Sequence, residues 1–240
     1  MKWVTMLGTG TTNQDTAEMA VTGDALGNVY FGAETTGAIG GATFAGGSGD
    51  LLAVKLDGAT GKTVWIHDDG GAGEDAAWGV AVDGKNDVYF AGFSDSALDG
   101  NTNAGDKDVI VQKYDSTGSK LWAQEIGGPG IDVGIGLGLD ATGLPTVGGT
   151  TNDNFDGHMN SDETSGGGIS NAIAVKFDAS GKKLWSNEYG TDNGEDVDGV
   201  AVDGQGNAFL TGGASDDLGT NKNTGKQDVY ILRFLANGQM

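Results

Sequence analysis

The stretch GVAVDGKNDVYFAG, residues 79–92, contains two short apolar runs on either side of a turn that Asp83 opens. Three further stretches follow the same plan: AVTGDALGNVYFG at 20–32, GLGLDATGLPTVGG at 136–149 and GVAVDGQGNAFLTG at 199–212. Their aspartates, at positions 24, 83, 140 and 203, are spaced by 59, 57 and 63 residues. A fixed period of this length, built from short β-like runs, is typical of radial β arrays such as propellers.

Each repeat holds four β-like runs, which we name a, b, c and d in chain order. The c runs share one basic position, occupied by Lys55, Lys113, Lys176 and Arg233. The d runs share a tryptophan, which is Trp3, Trp65, Trp122 or Trp185. Turns that open with Asp and contain Gly join c to d, which is a hairpin signature, and we find no apolar residues at helical spacing with caps. The sequence predicts an all-β fold, a four-bladed β-propeller with antiparallel four-stranded blades.

Residues 2–7 resemble a d run, and residues 228–235 form a c run with its turn. We therefore expect the N-terminal strand to pair antiparallel with the C-terminal blade, which would close the ring and remove an exposed sheet edge. The predicted single domain, 1–240, then holds blades at about 15–70, 75–127, 132–190, and 196–240 plus 2–7. Two alternatives fit the same pattern: two chains could join into a larger ring, or the chain could be a slice of a longer array.

Composition limits the classes of partner. The 240 residues include 46 Gly, 2 Pro and no Cys, so a disulfide framework and a thiol nucleophile are excluded. The net charge of −21 repels nucleic acid and anionic lipid and suits cations or neutral polymers such as glycans. No stretch approaches the length of apolar sequence that a membrane span needs. The start of the chain, MKWVTMLG, lacks the apolar core of a signal peptide.

Acidic residues concentrate in the d–a and b–c connections, which emerge on one face of a propeller. Two b–c loops, DSALDGN at 95–101 and DNFDG at 153–157, combine Asp and Asn with Gly, as the oxygen ligands of Ca²⁺ require. The candidate calcium ligands are Asp95, Asp99, Asn101, Asp153 and Asp156. The alternative is that these residues only make turns.

The long b–c loops at 93–108, 150–171 and 214–228 would form the binding surface, with these candidate residues on the ligand face: Asp75, Asp132, Asp196, Trp78, Phe155, Asp216 and Asp217. Trp78 or Phe155 could stack on a sugar, although Trp78 also fits core packing. We expect the repeating carboxylates at the d–a corners to bond loop backbone rather than to do chemistry.

Catalytic motifs are scarce. His67 and His158 are the two histidines, neither has a second histidine at metal-ligand spacing, and no Gly-x-Ser-x-Gly elbow occurs. Paired carboxylates on the acidic face could serve a glycan hydrolase or lyase. We keep that enzyme as the alternative to a non-catalytic binding module, and a spacer without ligand as a third.

The segment from Glu74-Asp75 through Gly79-Val80-Ala81-Val82-Asp83, Lys113-Tyr114-Asp115 and Trp122 resembles the bacterial β-propeller repeat known as the SBBP repeat, in four copies over the whole chain. The stretch LDGATGKTVW at 56–65 is also similar to the tryptophan-docking motif of quinoprotein-type propeller repeats. Leu235 and Pro145 depart from the pattern. The resemblance implies a propeller from an extracellular or envelope bacterial protein, with no transferable catalytic motif. From the closure pattern we expect a monomer, with a dimeric larger ring as the alternative, and from the charge and the long loops a protein or glycan ligand.

Overall fold

The computed structural model describes residues 2–9, 16–158, 170–191 and 193–240. In these ranges the regular structure consists of strands, and no helix is present. The strands are β1 Thr16–Gly23, β2 Val29–Thr35, β3 Asp50–Leu56, β4 Thr63–Asp69, β5 Asp75–Val82, β6 Val88–Ser94, β7 Asp108–Tyr114, β8 Lys120–Ile126, β9 Asp132–Leu139, β10 Pro145–Thr151, β11 Asn171–Phe177, β12 Lys183–Tyr189, β13 Gly199–Val202, β14 Ala208–Ala214 and β15 Asp228–Phe234. The predicted all-β class is confirmed.

The strands form four sheets in sequence order. Three sheets have four strands, β1–β4, β5–β8 and β9–β12, and the last has three, β13–β15. Neighbours pair antiparallel, as between β10 and β11 or β14 and β15. Runs a to d of the first three repeats, and runs a to c of the fourth, therefore become successive strands of one sheet, which is consistent with propeller-like blades.

A shared turn connects strands a and b of every sheet. In the second sheet, Asp83 Oδ1 accepts hydrogen bonds from the backbone N–H groups of Lys85 and Asp87 at 2.8 and 3.0 Å. The same two bonds, to the second and fourth residues after the aspartate, form at Asp24, Asp140 and Asp203. The periodic aspartates are thus turn-forming residues, because a short carboxylate satisfies N–H groups that the hairpin leaves free.

In the second and third sheets, the shared basic residue of strand c binds the a–b hairpin of its own sheet. Lys113 is buried, with Nζ 3.0 Å from Asp87 and 3.7 Å from Asp83, and lies 4.7 Å from the centroid of the Tyr89 ring. In the third sheet Lys176 Nζ lies 2.9 Å from Asp140. A buried ammonium needs such partners, so these contacts fix strand c against its own blade.

Residue contacts divide the chain into two compact units. Unit 1 is Met1–Asn103 with Ile110–Glu125, and unit 2 is Ala104–Val109 with Ile126–Met240. The core of unit 1 includes buried Tyr30, Leu51, Phe90 and Ile110. The core of unit 2 includes the buried residues Ala172, Ala174, Val197, Ala208, Leu210 and Phe234. Each unit thus has apolar side chains packed between its sheets, as an independent core requires.

The strand d tryptophans pack on the c–d turn of a following repeat. In unit 1, Trp65 stacks on Tyr114 at 5.8 Å and contacts the turn at Gly118. In unit 2, Trp185 Nε1 donates to the carbonyl of Ala236 at 2.9 Å. The repeated tryptophans therefore have a structural role, as their periodicity predicted.

The strand expected at residues 2–7 is not formed in the structure. Residues 2–9 carry no strand, and in unit 1 Trp3 Nε1 donates to Gly58 O at 2.9 Å while Thr5 Oγ1 donates to Gly61 O at 2.5 Å. In unit 2, strand β15 has β14 as its neighbour in a sheet of three. The ring closure expected from pairing residues 2–7 with residues 228–235 therefore stays a prediction.

Candidate functional site

The b–c loops share one design, in which an apolar residue anchors a tight turn. In unit 1, Asn101 N donates to Leu98 O at 2.9 Å across Asp99 and Gly100, whose φ angles are 54° and 79°. In unit 2, His158 N donates to Phe155 O at 2.8 Å across Asp156 and Gly157, with φ angles of 49° and 81°. Two successive positive φ angles define a type I′ turn, which favours Asp-Gly. The Asp-Gly pairs of the predicted calcium loops thus make turns.

A lysine forms an ion pair with the aspartate of each turn. Lys120 Nζ lies 2.8 Å from Asp99 and 2.8 Å from Asp69 in unit 1. In unit 2, Lys183 forms an ion pair with Asp156. Each ammonium neutralises an oxygen that Ca²⁺ would need as a ligand.

The remaining calcium candidates also have loop partners. Asp95 Oδ1 accepts from Glu74 N at 2.6 Å, and Asp153 Oδ1 accepts from Asn154 N at 2.7 Å. The Asn101 side chain donates to Leu98 O at 2.9 Å. In the described part of the chain, no group of three or more His, Cys, Asp or Glu residues could hold a metal ion. Calcium binding at these loops stays a prediction from the sequence.

Carboxylates at the start of the a strands cap the preceding d–a loops. Asp75 Oδ2 accepts from Gly71 N at 2.7 Å in unit 1, and Asp132 Oδ2 accepts from Gly128 N at 2.6 Å in unit 2. In the last repeat Glu195 takes this place, accepting from Thr191 N at 2.7 Å. The expectation that Asp196 bonds the d–a loop as Asp75 does was therefore wrong by one residue. The sequence Gly-Glu-Asp occurs at both 73–75 and 194–196, but the backbone is shifted by one residue between the two corners.

Several carboxyl groups near the d–a loops are buried with too few hydrogen-bond donors. Asp50 and Asp68 contact each other in unit 1, yet Asp50 Oδ1 and both Asp68 oxygens are buried without a donor. Burial, together with the contact and repulsion from Asp50, raises the pKa of Asp68 to about 8. Burial also raises the pKa of Asp75 to about 6. A proton on Asp68, donated to Asp50, would supply the missing donor.

Unit 2 has a similar corner around Gly127. A Cβ on Gly127 would overlap the carboxylates of Asp108 and Asp132, both fully buried. Burial raises the pKa of Asp132 to about 7 and also raises that of Asp108. In the next repeat the position of Asp108 is Asn171, whose Nδ2 donates to Glu188 Oε1 at 2.7 Å. An amide thus supplies there the donor that a protonated carboxyl supplies in the other corners.

An acidic recess of about 340 Å³ lies on the last sheet, in unit 2. It is lined by Asp196, Asp198 and Asp228, with Thr211 and Gln227 beside them. Asp196 and Asp198 are exposed and precede β13, where Asp196 N donates to Gly213 O and Asp198 N to Thr211 O at 2.9 and 2.8 Å. Because side chains two apart on an extended strand lie on one face, both carboxylates share one surface.

Glycines keep the floor of this recess low. A Cβ on Gly212 would overlap the carbonyl of Asp196, and one on Gly213 would overlap the Gln227 side chain. The negative charges also act on a neighbour: burial, and then Glu195, Asp196 and Asp198, raise the pKa of Tyr230 well above its ordinary value. The recess is thus a region of strong negative potential with a backbone floor, which favours a positively charged group.

Loop 214–228 borders the recess and is held by its own acids. Asp216 Oδ1 accepts from Asp217 N at 2.7 Å, and Asp217 Oδ1 accepts from Asn223 N at 2.7 Å. Lys222 forms an ion pair with Asp217, and Asp228 Oδ2 accepts from Thr224 N at 2.8 Å. These acids order the loop beside the recess.

The proposed aromatic platform is not available. Phe155 is fully buried and anchors its loop, and its backbone N–H donates to Glu188 Oε2 at 3.1 Å. The prediction that its ring stacks on a ligand was therefore wrong. Trp78 is half-buried and packs edge-on against Phe93 at 5.1 Å. His67 stacks on Tyr114 at 4.9 Å, and His158 Nε2 lies 3.1 Å from Ser186 Oγ.

Sequence reasoning selected Asp196 and missed Asp198 and the recess. A usable signal existed: Asp196-Val197-Asp198 alternates polar and apolar residues just before an apolar strand. The recess also needs two adjacent glycines of β14 and the end of the next loop, which no local pattern connects.

Comparisons with known proteins give limited help. No protein-family model matches the chain. The chain is similar to the regulatory protein FlaEY of Caulobacter vibrioides, with 26% identity over 167 residues, which is 66% of this chain and 16% of that protein. The chain thus spans a small part of the length of this relative. No helix in the described ranges is long and apolar enough to cross a membrane.

Proposed function

We propose that this protein is a non-catalytic binding module of a secreted or envelope bacterial protein, and that its acidic recess receives a cationic side chain of a protein partner. The observation that supports this most directly is the lining of the recess. Asp196 and Asp198 are exposed there beside Asp228, and none of the described residues that line it is basic. These acids differ from the lysine-paired Asp99 and Asp156 in offering charge to a partner.

The size of the recess fits one group. Its volume of about 340 Å³ is at the small end of the range for ligand pockets, about 300–1,000 Å³, and suits one guanidinium or ammonium headgroup. A sugar ring is of similar size, and Thr211 and Gln227 could bond its hydroxyls. The three carboxylates favour the cation, because a charge-assisted hydrogen bond is stronger than a neutral one.

The placement of proton-holding carboxyls supports binding over catalysis. A glycan hydrolase needs an acid of raised pKa that reaches the glycosidic oxygen. Here burial raises the pKa of Asp75 to about 6 and that of Asp132 to about 7, and both side chains are fully buried under loop backbone. A substrate could not contact them without opening the corner.

The arrangement of the four sheets as propeller blades is part of the same proposal. We take the four sheets as blades of one propeller, in line with the resemblance to SBBP-type repeats, and the loop surface as its ligand side. Calcium would order the loops at 95–101 and 153–157 only if it displaced Lys120 and Lys183. Thermal unfolding in EDTA and in millimolar Ca²⁺ tests this, because a ligand of the folded state raises the midpoint.

The binding test uses a hexa-arginine peptide in isothermal titration calorimetry at low salt. Asp198→Asn should weaken binding about fivefold to tenfold, which corresponds to about 1–1.4 kcal/mol and lies within the range for one net hydrogen bond. Asp106→Asn is the matched control, since it removes one exposed charge outside the recess and should change the Kd less than twofold.

Equal losses in the two variants would mean that net charge alone attracts the peptide, against a recess site. No binding by the unmodified protein would favour the spacer. A neutral oligosaccharide that binds in the recess in place of the peptide would shift the proposal to the glycan-binding alternative.

A further inference from the structure

A buried lysine in the second sheet faces two carboxylates at once. Lys113 Nζ, on strand β7, lies 3.0 Å from Asp87 Oδ2 and 3.7 Å from Asp83 Oδ2, and both aspartates belong to the β5–β6 hairpin. The side chains of Lys113, Asp83 and Asp87 are 6%, 7% and 17% exposed. The Tyr89 ring covers the ammonium, with its centroid 4.7 Å from Nζ. An amine and two carboxyl groups are thus held together, largely out of water, and all of them belong to unit 1.

The other three sheets lack one part of this set. In the third sheet Leu144 stands where the second has Asp87, so the hairpin that Lys176 binds offers one carboxylate in place of two. In the first sheet Lys55 Nζ donates to a backbone carbonyl of the following repeat at 2.7 Å. In the fourth sheet the basic residue is Arg233, whose guanidinium keeps its proton and is no nucleophile. The second sheet therefore has a chemical capacity that the repeat alone does not require.

We propose that Lys113 and Asp87 condense to an isopeptide bond that joins strand β7 to the β5–β6 hairpin, and that Asp83 carries the protons of this step. Lys113 Nζ forms a bond with Asp87 Cγ, and one Cγ–O bond of Asp87 breaks. Of the three ammonium protons, two pass through the Asp83 carboxylate to the departing oxygen, which leaves as water, and one stays on the amide nitrogen. Asp83 ends as the carboxylate that it was, and the step needs no oxidant, reductant or further reactant.

Three physical effects favour this step. Contact between well-oriented fixed groups replaces a bimolecular encounter and reaches effective concentrations of about 10⁵–10⁸ M. Removal from water makes a lysine amine more nucleophilic and withholds the water that would reverse the reaction. An acid–base group beside the reacting atoms speeds proton transfer, and Asp83 needs only a small movement to bond Lys113 Nζ.

The resting pair is ionic. Burial alone would lower the pKa of Lys113, but its hydrogen bonds with Tyr89 and Asp87 raise that pKa above the ordinary value. The amine has to give up its proton before it attacks, so we expect a slow step that follows folding. The bond would close the chain between Asp87 and Lys113 and restrict the unfolded state, as other cross-links do.

Mass spectrometry tests the proposal directly. After incubation of the folded protein at neutral pH until its mass is constant, the intact mass should be lower than the sequence mass by one water molecule. Trypsin digestion of the denatured chain should then give one fragment with two N-termini, Asn86 and Asp108, because it joins residues 86–107 to residues 108–120 and is not cut after Lys113. A linear fragment that trypsin failed to cut would have one N-terminus. The full sequence mass, with normal cleavage after Lys113, would overturn the proposal.

The variant Asp83→Asn tests the proton carrier. Its amide oxygen can still accept the turn bonds from Lys85 N and Asp87 N, and the ion pair of Lys113 with Asp87 stays. The variant should therefore keep the circular dichroism spectrum of the native sequence and also keep its full mass. A cross-link that forms at the same rate in Asp83→Asn would overturn the role of Asp83.

Two controls lie within the same digest. Trypsin should cut after Lys176, whose hairpin has one carboxylate, and a cross-link there would show that a second carboxylate is not needed. A succinimide at Asp83-Gly84 would also release one water, but it leaves Lys113 open to trypsin. Loss of one water together with normal cleavage after Lys113 would therefore overturn the proposal.

Discussion

The buried pair of Asp50 and Asp68 predicts that a single amide will make the protein less sensitive to alkaline pH. Asn171 and Glu188 occupy the same positions in the third sheet, and there the amide donates to the carboxylate at 2.7 Å. Asp50→Asn should reproduce that pair: its carbonyl can keep the bond from Ala45 N, and its NH₂ can donate to Asp68. The mutation replaces a shared proton with a permanent donor.

The sign of the effect follows from the direction of the pKa change. Burial and Asp50 raise the pKa of Asp68 from 3.8 to about 8 in the folded state. Its contribution to stability is therefore complete below about pH 4 and is lost as pH rises through about 8. Asp50→Asn should lower that pKa, so the stability that the variant gains over the unmodified protein builds up from about pH 4 to about pH 8 and is constant above that.

The magnitude can be bounded. The interval from 3.8 to about 8, at about 1.36 kcal/mol per pH unit, corresponds to at most about 6 kcal/mol. Asp68 is only half-buried, so solvent screening reduces this value. We expect a gain of roughly 2 kcal/mol at pH 9 and roughly 0.6 kcal/mol at pH 5. The assay is urea unfolding at both pH values, with Asp106→Asn as a control of equal charge change at an exposed site. Equal stability changes at pH 5 and pH 9, or a loss at pH 9, would refute the shared-proton reasoning.

Three further changes test the packing of the repeat. Gly127→Ala should lower the free energy of unfolding, measured by thermal unfolding, by about 2–4 kcal/mol, because its Cβ would overlap two buried carboxylates. The control Gly84→Ala places its Cβ in open space and should lower that free energy by less than about 1 kcal/mol. Trp185→Phe should cost about 1 kcal/mol for the lost indole bond, and a change below about 0.3 kcal/mol would contradict the docking role. Lys176→Met should lower the unfolding midpoint at pH 7 and raise the pKa of Asp140. Against the effect of burial, hydrogen bonds from Thr142 and Lys176 lower that pKa to about 2, and an unmoved carboxyl titration by NMR would contradict the ion pair.

Local patterns predicted most of the strands. The turn aspartates, the basic residue of strand c and the tryptophan of strand d recur with the period. The turn aspartates make the same two backbone bonds in all four repeats. Hydrogen bonds such as those from Asp83 to the residues two and four later are local, so their sequence pattern is informative. The fold class could therefore be read from the repeat.

The pairing of residues 2–7 and the site could not be predicted in the same way. Whether that segment pairs with the last sheet depends on contacts remote in sequence, which no local pattern specifies. The offset between Glu195 and Asp196 shows the same limit at one residue, because backbone register decided which carboxylate caps the loop. The recess around Asp198 combines three separated segments, and each of them reads locally as strand or turn.

The acidic composition has a structural cause before it has a functional one. Aspartates cap the a–b hairpins, carboxylates cap the d–a loops, and others bind lysines, so much of the net charge of −21 reflects how the repeats satisfy backbone N–H groups. A count of acids therefore overstates the case for a cation site, as at Asp99. The informative acids are those that are exposed and lack a folding role, and in the described chain Asp196 and Asp198 combine exposure with a shared recess. For this reason the binding test rests on Asp198, and a null result there would remove the charge of this surface as evidence for a ligand.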